Sequence, residues 1–159
     1  MSMNKVIVTG GAGFIGSNLV ERLLKDGAEE ILIIDDFSTG KKENLHDSSK
    51  VHLIESKLED INDLESQFKG YDFCFHLAAG VGVQYIMDNL SDSLLTNIQG
   101  THIVFEACKE NNIPVLITST SEIYGTSKEE SWDEETKSLI GPTTKLRWSY
   151  AVSKMIDEF

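Results

Sequence analysis

Short runs of apolar residues alternate along the chain with segments whose apolar residues recur every three or four positions. The short runs predict buried strands, and the periodic segments predict amphipathic helices. Strands that alternate with helices indicate a parallel sheet covered on both faces, which is the doubly wound α/β class. The predicted strands are Lys5–Thr9, Ile31–Ile34, Val51–Ile54, Tyr71–Leu77 and Pro114–Thr118. The predicted helices are Phe14–Lys25, a short one through Ile61, Leu64 and Phe68, a long one from Leu94 to Cys108, and one that begins at Ser149.

Composition is typical of a globular protein. The chain has 159 residues, of which 40% are hydrophobic and 25% are charged, so we expect a single domain over 1–159. Asp and Glu number 26 against 14 Lys and Arg, which gives a net charge of -12. A surface this negative repels phosphate backbones and acidic lipid headgroups, so nucleic-acid and membrane partners are not expected.

The N-terminal apolar run Val6–Val8 is too short for a secretory signal, and no apolar run has the length of a membrane span. Two cysteines, Cys74 and Cys108, make a poor disulfide scaffold. Reduced thiols in a cytoplasmic protein are therefore expected. The histidines show no metal-ligand spacing with the cysteines, so no metal site is predicted.

A different pattern covers residues 129–137, which are acidic and polar with Trp132 as their one large apolar residue. A solvated connecting loop is the expected structure there. The helix that begins at Ser149 carries Ala151, Met155 and Phe159 at helical spacing. Phe159 is also the last residue, and a helix that ends without a cap is unusual.

Glycines cluster between the first predicted strand and the first predicted helix, in the segment Thr9–Gly16. Gly10 allows a tight turn, Gly13 lets the backbone approach a pyrophosphate, and Gly16 lets the helix pack on the strand. The helix N-terminus then presents free N–H groups and a partial positive charge to the phosphates. The strand-turn-helix context favours a Rossmann-type dinucleotide site over a tight turn that binds no ligand.

An acidic residue ends the second predicted strand. Asp35 lies 19 positions beyond Gly16, where a carboxylate accepts hydrogen bonds from an adenosine ribose. Asp36 adds a second negative charge, and the two should repel a 2′-phosphate, which favours NAD over NADP. Lys41 and Lys42 lie close enough in sequence to weaken that inference. For Asp36 alone, a turn-capping role is an equal alternative.

Tyr150 and Lys154 lie four positions apart on the last predicted helix and so project from the same face. A cation beside a phenol favours phenolate and lowers the phenol pKa, and such a tyrosine can serve as a general base near neutral pH. The alternative is a weak surface pair. Hydroxyl residues and Glu122 follow the fifth predicted strand, in the segment Thr118–Gly125, where ligands of open α/β sheets bind. Ordinary strand-end turn chemistry is the alternative for those hydroxyls.

Together these motifs resemble the extended short-chain dehydrogenase/reductase family. They are similar, more narrowly, to its NAD-dependent nucleotide-sugar epimerases, dehydratases and decarboxylases. The resemblance covers the whole chain, and the motifs occur in the family's order. The motifs that carry it are Thr9–Gly16, His76–Ala79, Asn97, Ser119–Gly125 and the Tyr150/Lys154 pair.

The resemblance implies a Rossmann-type fold and NAD as a cofactor that is retained rather than consumed. The glycines would line the pyrophosphate, Asp35 would bind the adenosine ribose, and Leu77 to Ala79 would pass beside the cofactor. The expected cofactor-binding residues are Gly10, Gly13, Phe14, Ile15, Gly16, Asp35, Asp36, Leu58, Leu77, Ala78, Ala79, Thr118, Tyr150 and Lys154.

The resemblance also implies the catalytic roles. Tyr150 would take the proton from a sugar hydroxyl, usually at C4, while hydride leaves for the nicotinamide. Lys154 would hold the nicotinamide ribose and lower the Tyr150 pKa. Thr120 would hydrogen-bond the same sugar oxygen, and Glu122 is a further candidate acid or base.

The motifs do not decide which reaction follows the oxidation at C4: decarboxylation, epimerisation or dehydration. Thr120-Ser121-Glu122 is similar to the Thr-Ser-Glu of UDP-glucuronate decarboxylases and GDP-mannose dehydratases, and differs from the Thr-Asp-Glu of dTDP-glucose dehydratases. The stretch Ile140–Tyr150 also resembles bacterial UDP-glucuronate decarboxylases. A 4-keto uronic acid is a β-keto acid and loses carbon dioxide easily. UDP-sugar 4-epimerases share nearly all of these residues, so the expectation is a UDP-sugar decarboxylase or epimerase, with a 4,6-dehydratase as the alternative.

Two departures from the family pattern qualify these expectations. Ser56, Lys57 and Leu58 stand where the family usually has Gly-Asp-Ile, and lysine has no acceptor for the adenine amino group. Family members also continue past the Tyr/Lys helix into a substrate-binding region, so we expect this chain to be the N-terminal part of such an enzyme, which in its full-length form would be a homodimer. A non-catalytic NAD-binding fragment or sensor module is the competing hypothesis.

Overall fold

The computed structural model describes residues 3–80 and 90–159, and in this part of the chain five strands form one parallel sheet with the order β3-β2-β1-β4-β5. The strands are β1 (Lys5–Thr9), β2 (Glu30–Asp35), β3 (Val51–Glu55), β4 (Phe73–His76) and β5 (Val115–Ile117). The α-helices are α1 (Phe14–Lys25), α2 (Leu64–Gln67), α3 (Leu90–Glu110) and α4 (Trp148–Glu158). Three short 3₁₀ helices accompany them at Lys42–Asn44, Leu58–Asp60 and Ser121–Tyr124.

Side chains of the central strands point alternately into two apolar cores, one on each face of the sheet, as expected for a sheet covered on both faces. Ile7 of β1 lies in a core that also contains residues from β2, β4, α2 and α3. Its neighbours Val6 and Val8 lie in a second core with Val20 of α1. The predicted Rossmann-type, doubly wound α/β fold is therefore confirmed.

Element boundaries agree best where the sequence signal is local. Strand β1 and helix α1 have the predicted bounds, because a β-branched run stops at glycine and Gly27, at φ 96°, follows the helix. The fourth predicted strand is shorter than expected, since only Phe73–His76 pairs in the sheet. For Tyr85 and Met87 the sequence allows either packing at the start of a helix or a loop beside the nicotinamide, and both residues lie outside the described part of the chain.

The chain divides into two compact units. The first unit contains residues 1–78 and 100–118, and it holds all five strands. The second contains residues 79–99 and 119–159, and it holds α4 and the 3₁₀ helix Ser121–Tyr124.

Contacts within the second unit organise the segment that was expected to be a solvated loop. Residues 129–137 contain no helix or strand, and all of them except Thr136 are exposed, so the expected solvated loop is confirmed. Trp132, however, stacks on Tyr124 with ring centroids 5.0 Å apart. Gly125, at φ 63°, forms an isolated parallel bridge with Leu139. The aromatic stack therefore ties the acidic segment to the 3₁₀ helix.

Candidate functional site

Two glycines in the turn between β1 and α1 have no room for a side chain. Gly10 has a φ of 70°, and a Cβ there would lie 2.8 Å from the Ala78 backbone nitrogen. A Cβ on Gly16 would collide with the Gly10 carbonyl. Both positions therefore need glycine for packing.

Gly13 differs from the other two glycines. A Cβ there would lie 3.3 Å from the Gly10 carbonyl oxygen, with no other described atom within 4 Å. Apart from that one carbonyl oxygen the space beside Gly13 is open, as a backbone that approaches a pyrophosphate requires. Gly11 was not singled out by the sequence, yet a Cβ there would lie 2.6 Å from an Ile33 methyl carbon.

The N-terminus of α1 is suited to an anion. Gly13 is the N-cap residue, no side chain caps the helix, and its first turn contains no acidic residue. The first N–H groups of a helix have no partner within it, so they are available to phosphate oxygens. Phe14 and Ile15 keep their side chains exposed. The residues present thus fit the pyrophosphate of a dinucleotide.

Asp35 braces the glycine turn from the end of β2. Its carboxylate is buried, with Oδ2 accepting from the Ala12 N–H at 2.9 Å and Oδ1 accepting from the Phe37 N–H at 2.9 Å. Asn44, which sequence reasoning missed, donates its Nδ2–H to the Ala12 carbonyl at 2.8 Å. No sequence signal pairs these positions, because the contact joins residues 32 apart.

Asp36 caps its own turn, which is one of the two roles that the sequence allows for it. It is exposed, and its Oδ1 accepts from the Ser38 N–H at 2.9 Å. Lys42 forms a salt bridge with Glu55, in which Nζ lies 2.7 Å from Oε2. The same ammonium lies 5.0 Å from the centroid of the Phe37 ring. Of the two lysines that weakened the preference for NAD over NADP, Lys42 is thus already paired with a carboxylate.

The segment after β4 is fixed by a buried polar network. Thr9 Oγ1 lies 2.7 Å from His76 Nδ1 and accepts from the Ala78 N–H at 3.1 Å. His76 Nε2 lies 3.1 Å from Thr101 Oγ1, so this buried histidine is packed at the end of β4. Leu77 donates its N–H to the Thr9 carbonyl. These bonds set the backbone that was predicted to pass beside a cofactor.

Other predicted cofactor residues are more scattered. Leu58, which was predicted to bind the cofactor, is buried in the core of the first unit. Thr118 directly follows β5 in the same unit. Ala79 belongs to the second unit, where Gly80 donates its N–H to Asn97 Oδ1 at 2.7 Å.

The predicted catalytic side chains all lie in the second unit. Thr120 is the N-cap of the 3₁₀ helix Ser121–Tyr124, and its Oγ1 accepts from the Glu122 N–H at 3.3 Å. That 3₁₀ helix packs against α4, which carries Tyr150 and Lys154. The fold therefore brings these four predicted residues together in one unit.

Tyr150 is also held through its backbone. Its carbonyl accepts from the Ser153 hydroxyl at 2.8 Å, and Ser153 Oγ in turn accepts from Asn97 Nδ2 at 3.3 Å. Both Asn97 and Ser153 are buried. Asn97 appeared in the sequence as a motif residue without a role, and the structure gives it a structural one between α3 and α4.

The electrostatics at Tyr150 differ from the expectation. Lys154 donates to Asp157 Oδ2 at 2.7 Å, and this ion pair is buried. Burial raises the pKa of the Tyr150 phenol, and the negative charges of Glu122 and Asp157 raise it further. The sequence predicted a lowered pKa, because it considered only the cation one turn away and not the carboxylate that pairs with it.

Two absences concern the described residues alone. In residues 3–80 and 90–159, no three side chains of His, Cys, Asp or Glu are grouped so that they could hold a metal ion. None of the helices described combines the length and apolar character that crossing a membrane requires.

Cys74 and Cys108 are both buried free thiols.

Comparison with known proteins identifies the family. The model of the NAD-dependent epimerase/dehydratase family matches residues 6–158, so the chain belongs to that family. NAD is the family's cofactor, which confirms the predicted cofactor at this level.

Relatives of known name have a similar sequence and fold. The UDP-N-acetyl-alpha-D-glucosaminuronate decarboxylase of Bacillus cytotoxicus is 36% identical over 155 residues, which is 97% of this chain and 48% of that protein. A solved structure with a similar fold is the UDP-N-acetylglucosamine 4-epimerase of Methanobrevibacter ruminantium in complex with UDP-N-acetylmuramic acid. Its TM-score is 0.87 at 35% sequence identity, and the match covers 99% of this chain and 49% of the epimerase chain. Bordetella bronchiseptica WbmG, solved with NAD and UDP, has a TM-score of 0.83 at 30% identity, over 99% of this chain and 48% of its own. The chain thus spans about half the length of these relatives.

Proposed function

We propose that this chain is the NAD-binding domain of an enzyme that modifies a UDP-sugar through transient oxidation at C4, as a decarboxylase or a 4-epimerase. The observation that carries the proposal is the grouping of Thr120, Glu122 and Tyr150 in one unit, in a chain that also has an open glycine turn. A module that only binds or senses NAD has no need of that grouping. The relatives support a UDP-sugar, since all three have UDP or a UDP-sugar in their names or as a bound molecule.

In this proposal the first unit binds the pyrophosphate and the adenosine ribose of the cofactor. The N-terminal turn of α1 would bind the pyrophosphate, and Asp35 would bind the adenosine ribose. Each Asp35 oxygen accepts one backbone N–H, and a carboxylate has about four acceptor sites, so capacity for ribose hydroxyls remains. Bound NAD would supply the acceptor for the C4 hydride and would later return it to the sugar.

The second unit would handle the proton. Tyr150 as phenolate would accept the proton of the sugar C4 hydroxyl, and Thr120 would hydrogen-bond the same oxygen. Lys154 would bind the nicotinamide ribose. Oxidation at C4 of a uronic acid would place a ketone β to the carboxylate. The C5–C6 bond would then break with release of carbon dioxide, its electron pair would form the enolate of the C4 ketone, and a proton from solvent would be added at C5. With a neutral sugar, return of hydride to the opposite face gives the C4 epimer.

Product analysis tests this proposal. The longest natural gene product that carries this chain would be incubated with NAD and, separately, with UDP-glucuronate, UDP-N-acetylglucosaminuronate, UDP-glucose and UDP-N-acetylglucosamine. Release of carbon dioxide with a UDP-pentose or its N-acetylamino counterpart supports the decarboxylase, and a C4 epimer supports the epimerase. A 4-keto-6-deoxy sugar, or NAD binding with no product from any substrate, would overturn the proposal.

A further inference from the structure

The buried ion pair between Lys154 and Asp157 lies next to the proposed base. Lys154 Nζ is 2.7 Å from Asp157 Oδ2, and each side chain is only 2% exposed. An ammonium removed from water needs a counter-charge, because an unpaired buried charge is costly. Asp157 supplies that counter-charge from a position one helical turn beyond the lysine.

The neighbouring acid provides a contrast. Glu158 is exposed, and its carboxylate accepts from the Ser119 hydroxyl. It is not among the charges that act on the Tyr150 phenol, which are those of Glu122 and Asp157. Of two consecutive acids on α4, only Asp157 is both buried and paired with the lysine of the Tyr150/Lys154 motif.

We propose that Asp157 is a positioning residue for the Tyr150/Lys154 pair, because its carboxylate binds the Lys154 ammonium inside the protein. This inference rests on the proposed role of Tyr150 as the base. While Lys154 is bound to Asp157, its charge is largely neutralised, and the phenol faces the carboxylates of Glu122 from the 3₁₀ helix and of Asp157 from its own helix. The ammonium favours phenolate only when it leaves Asp157 and turns towards the phenol. Asp157 thereby controls when Tyr150 can accept a proton.

The titration of Tyr150 in this 159-residue chain tests the inference without any turnover. Tyrosines labelled with ¹³C at Cζ would be followed by NMR against pH, with the Tyr150 signal assigned from its loss in Tyr150→Phe. We expect Asp157→Asn to lower the Tyr150 midpoint by about half a pH unit or more, since it removes one negative charge and frees a cation. The matched control Glu158→Gln should leave the midpoint in place. An unchanged midpoint in Asp157→Asn, or an equal decrease in Glu158→Gln, would overturn the inference.

A second pair of variants covers the case in which Asp157→Asn does not fold. Lys154→Met leaves Asp157 as an unpaired carboxylate, so the Tyr150 midpoint should rise above that of the wild type. Adding Asp157→Leu to Lys154→Met removes both charges and should bring the midpoint down again. Identical midpoints in the single and double variants would show that Asp157 does not act on Tyr150.

The failures of the two proposals are distinguishable. Suppose that Asp157→Asn shifts the Tyr150 titration but Tyr150→Phe retains turnover in the longer gene product. The proposed base is then wrong, while the action of Asp157 on Tyr150 and Lys154 stands. If Tyr150→Phe abolishes turnover but Asp157→Asn leaves the titration unmoved, the function stands and the positioning role falls.

Discussion

The Asp35 carboxylate accepts a hydrogen bond from the backbone N–H of Ala12, with Oδ2 2.9 Å from the nitrogen. This bond joins the end of β2 to the middle of the glycine turn, 23 residues earlier in the chain. The acid expected to bind the adenosine ribose therefore also stabilises the turn expected to bind the pyrophosphate. A substitution at Asp35 should affect folding as well as binding.

We expect Asp35→Ala to reduce the free energy of unfolding by about 1–3 kcal/mol, because the Ala12 and Phe37 N–H groups lose their acceptors. NAD affinity should fall in the same variant. Asp36→Ala is the matched control, since Asp36 is exposed and caps a single turn, and its effect on stability should stay within about 0.5 kcal/mol. Urea unfolding and calorimetric titration with NAD would measure both quantities. Equal stability of the two variants would contradict the bracing role of Asp35.

Substitutions at two glycines should separate binding from folding. Gly13→Val places its side chain in the open space beside the turn, so the protein should fold while NAD affinity falls at least about tenfold, or about 1.4 kcal/mol. Gly16→Val places its Cβ against the Gly10 carbonyl and should destabilise the fold. Thermal unfolding and calorimetry on both variants would test this. Undiminished NAD affinity in a folded Gly13→Val protein would exclude the glycine turn as the pyrophosphate site.

Stability should decrease at alkaline pH because of the partly buried phenol of Tyr71. Tyr71 donates its hydroxyl hydrogen to Glu30 at 2.8 Å, and burial, followed by this bond and the Glu30 charge, raises the pKa of Tyr71 above its usual range. Above about pH 10 the unfolded chain releases this proton while the folded chain keeps it, so the free energy of unfolding falls as pH rises.

Tyr71→Phe removes the ionisable group and should make that alkaline decrease less steep. Urea unfolding of both proteins at several pH values between about 7 and 11 would measure it, with the difference at neutral pH as the reference. If the two proteins lose stability in parallel, the raised pKa of Tyr71 does not contribute.

The parts of the fold that the sequence predicted well depend on local patterns. Strand β1 and helix α1 follow from a β-branched run, a glycine turn and a regular apolar spacing within one segment. The order of the strands in the sheet is not encoded locally. Even so, alternating strands and helices were enough to predict parallel pairing.

What the sequence did not reveal are contacts between distant or unmarked positions. Asn44 supports the glycine turn across 32 residues, and Trp132 packs on Tyr124 from a segment expected to be solvated. The Lys154–Asp157 pair was within reach, because its spacing of three is a helical contact. The sequence does not show that this pair is buried, because burial depends on tertiary packing. Burial is what makes the charge of Asp157 matter for the pKa of Tyr150.

The central claim is that Tyr150 is the base for oxidation at C4 of a UDP-sugar, and turnover by Tyr150→Phe tests it most directly. The longest natural gene product that carries this chain would be assayed with the UDP-sugar that it converts, with NAD affinity measured in parallel. We predict that Tyr150→Phe lowers kcat by at least about 100-fold, the scale of general-base catalysis, while NAD remains bound. Turnover within a few-fold of the wild type would contradict the claim.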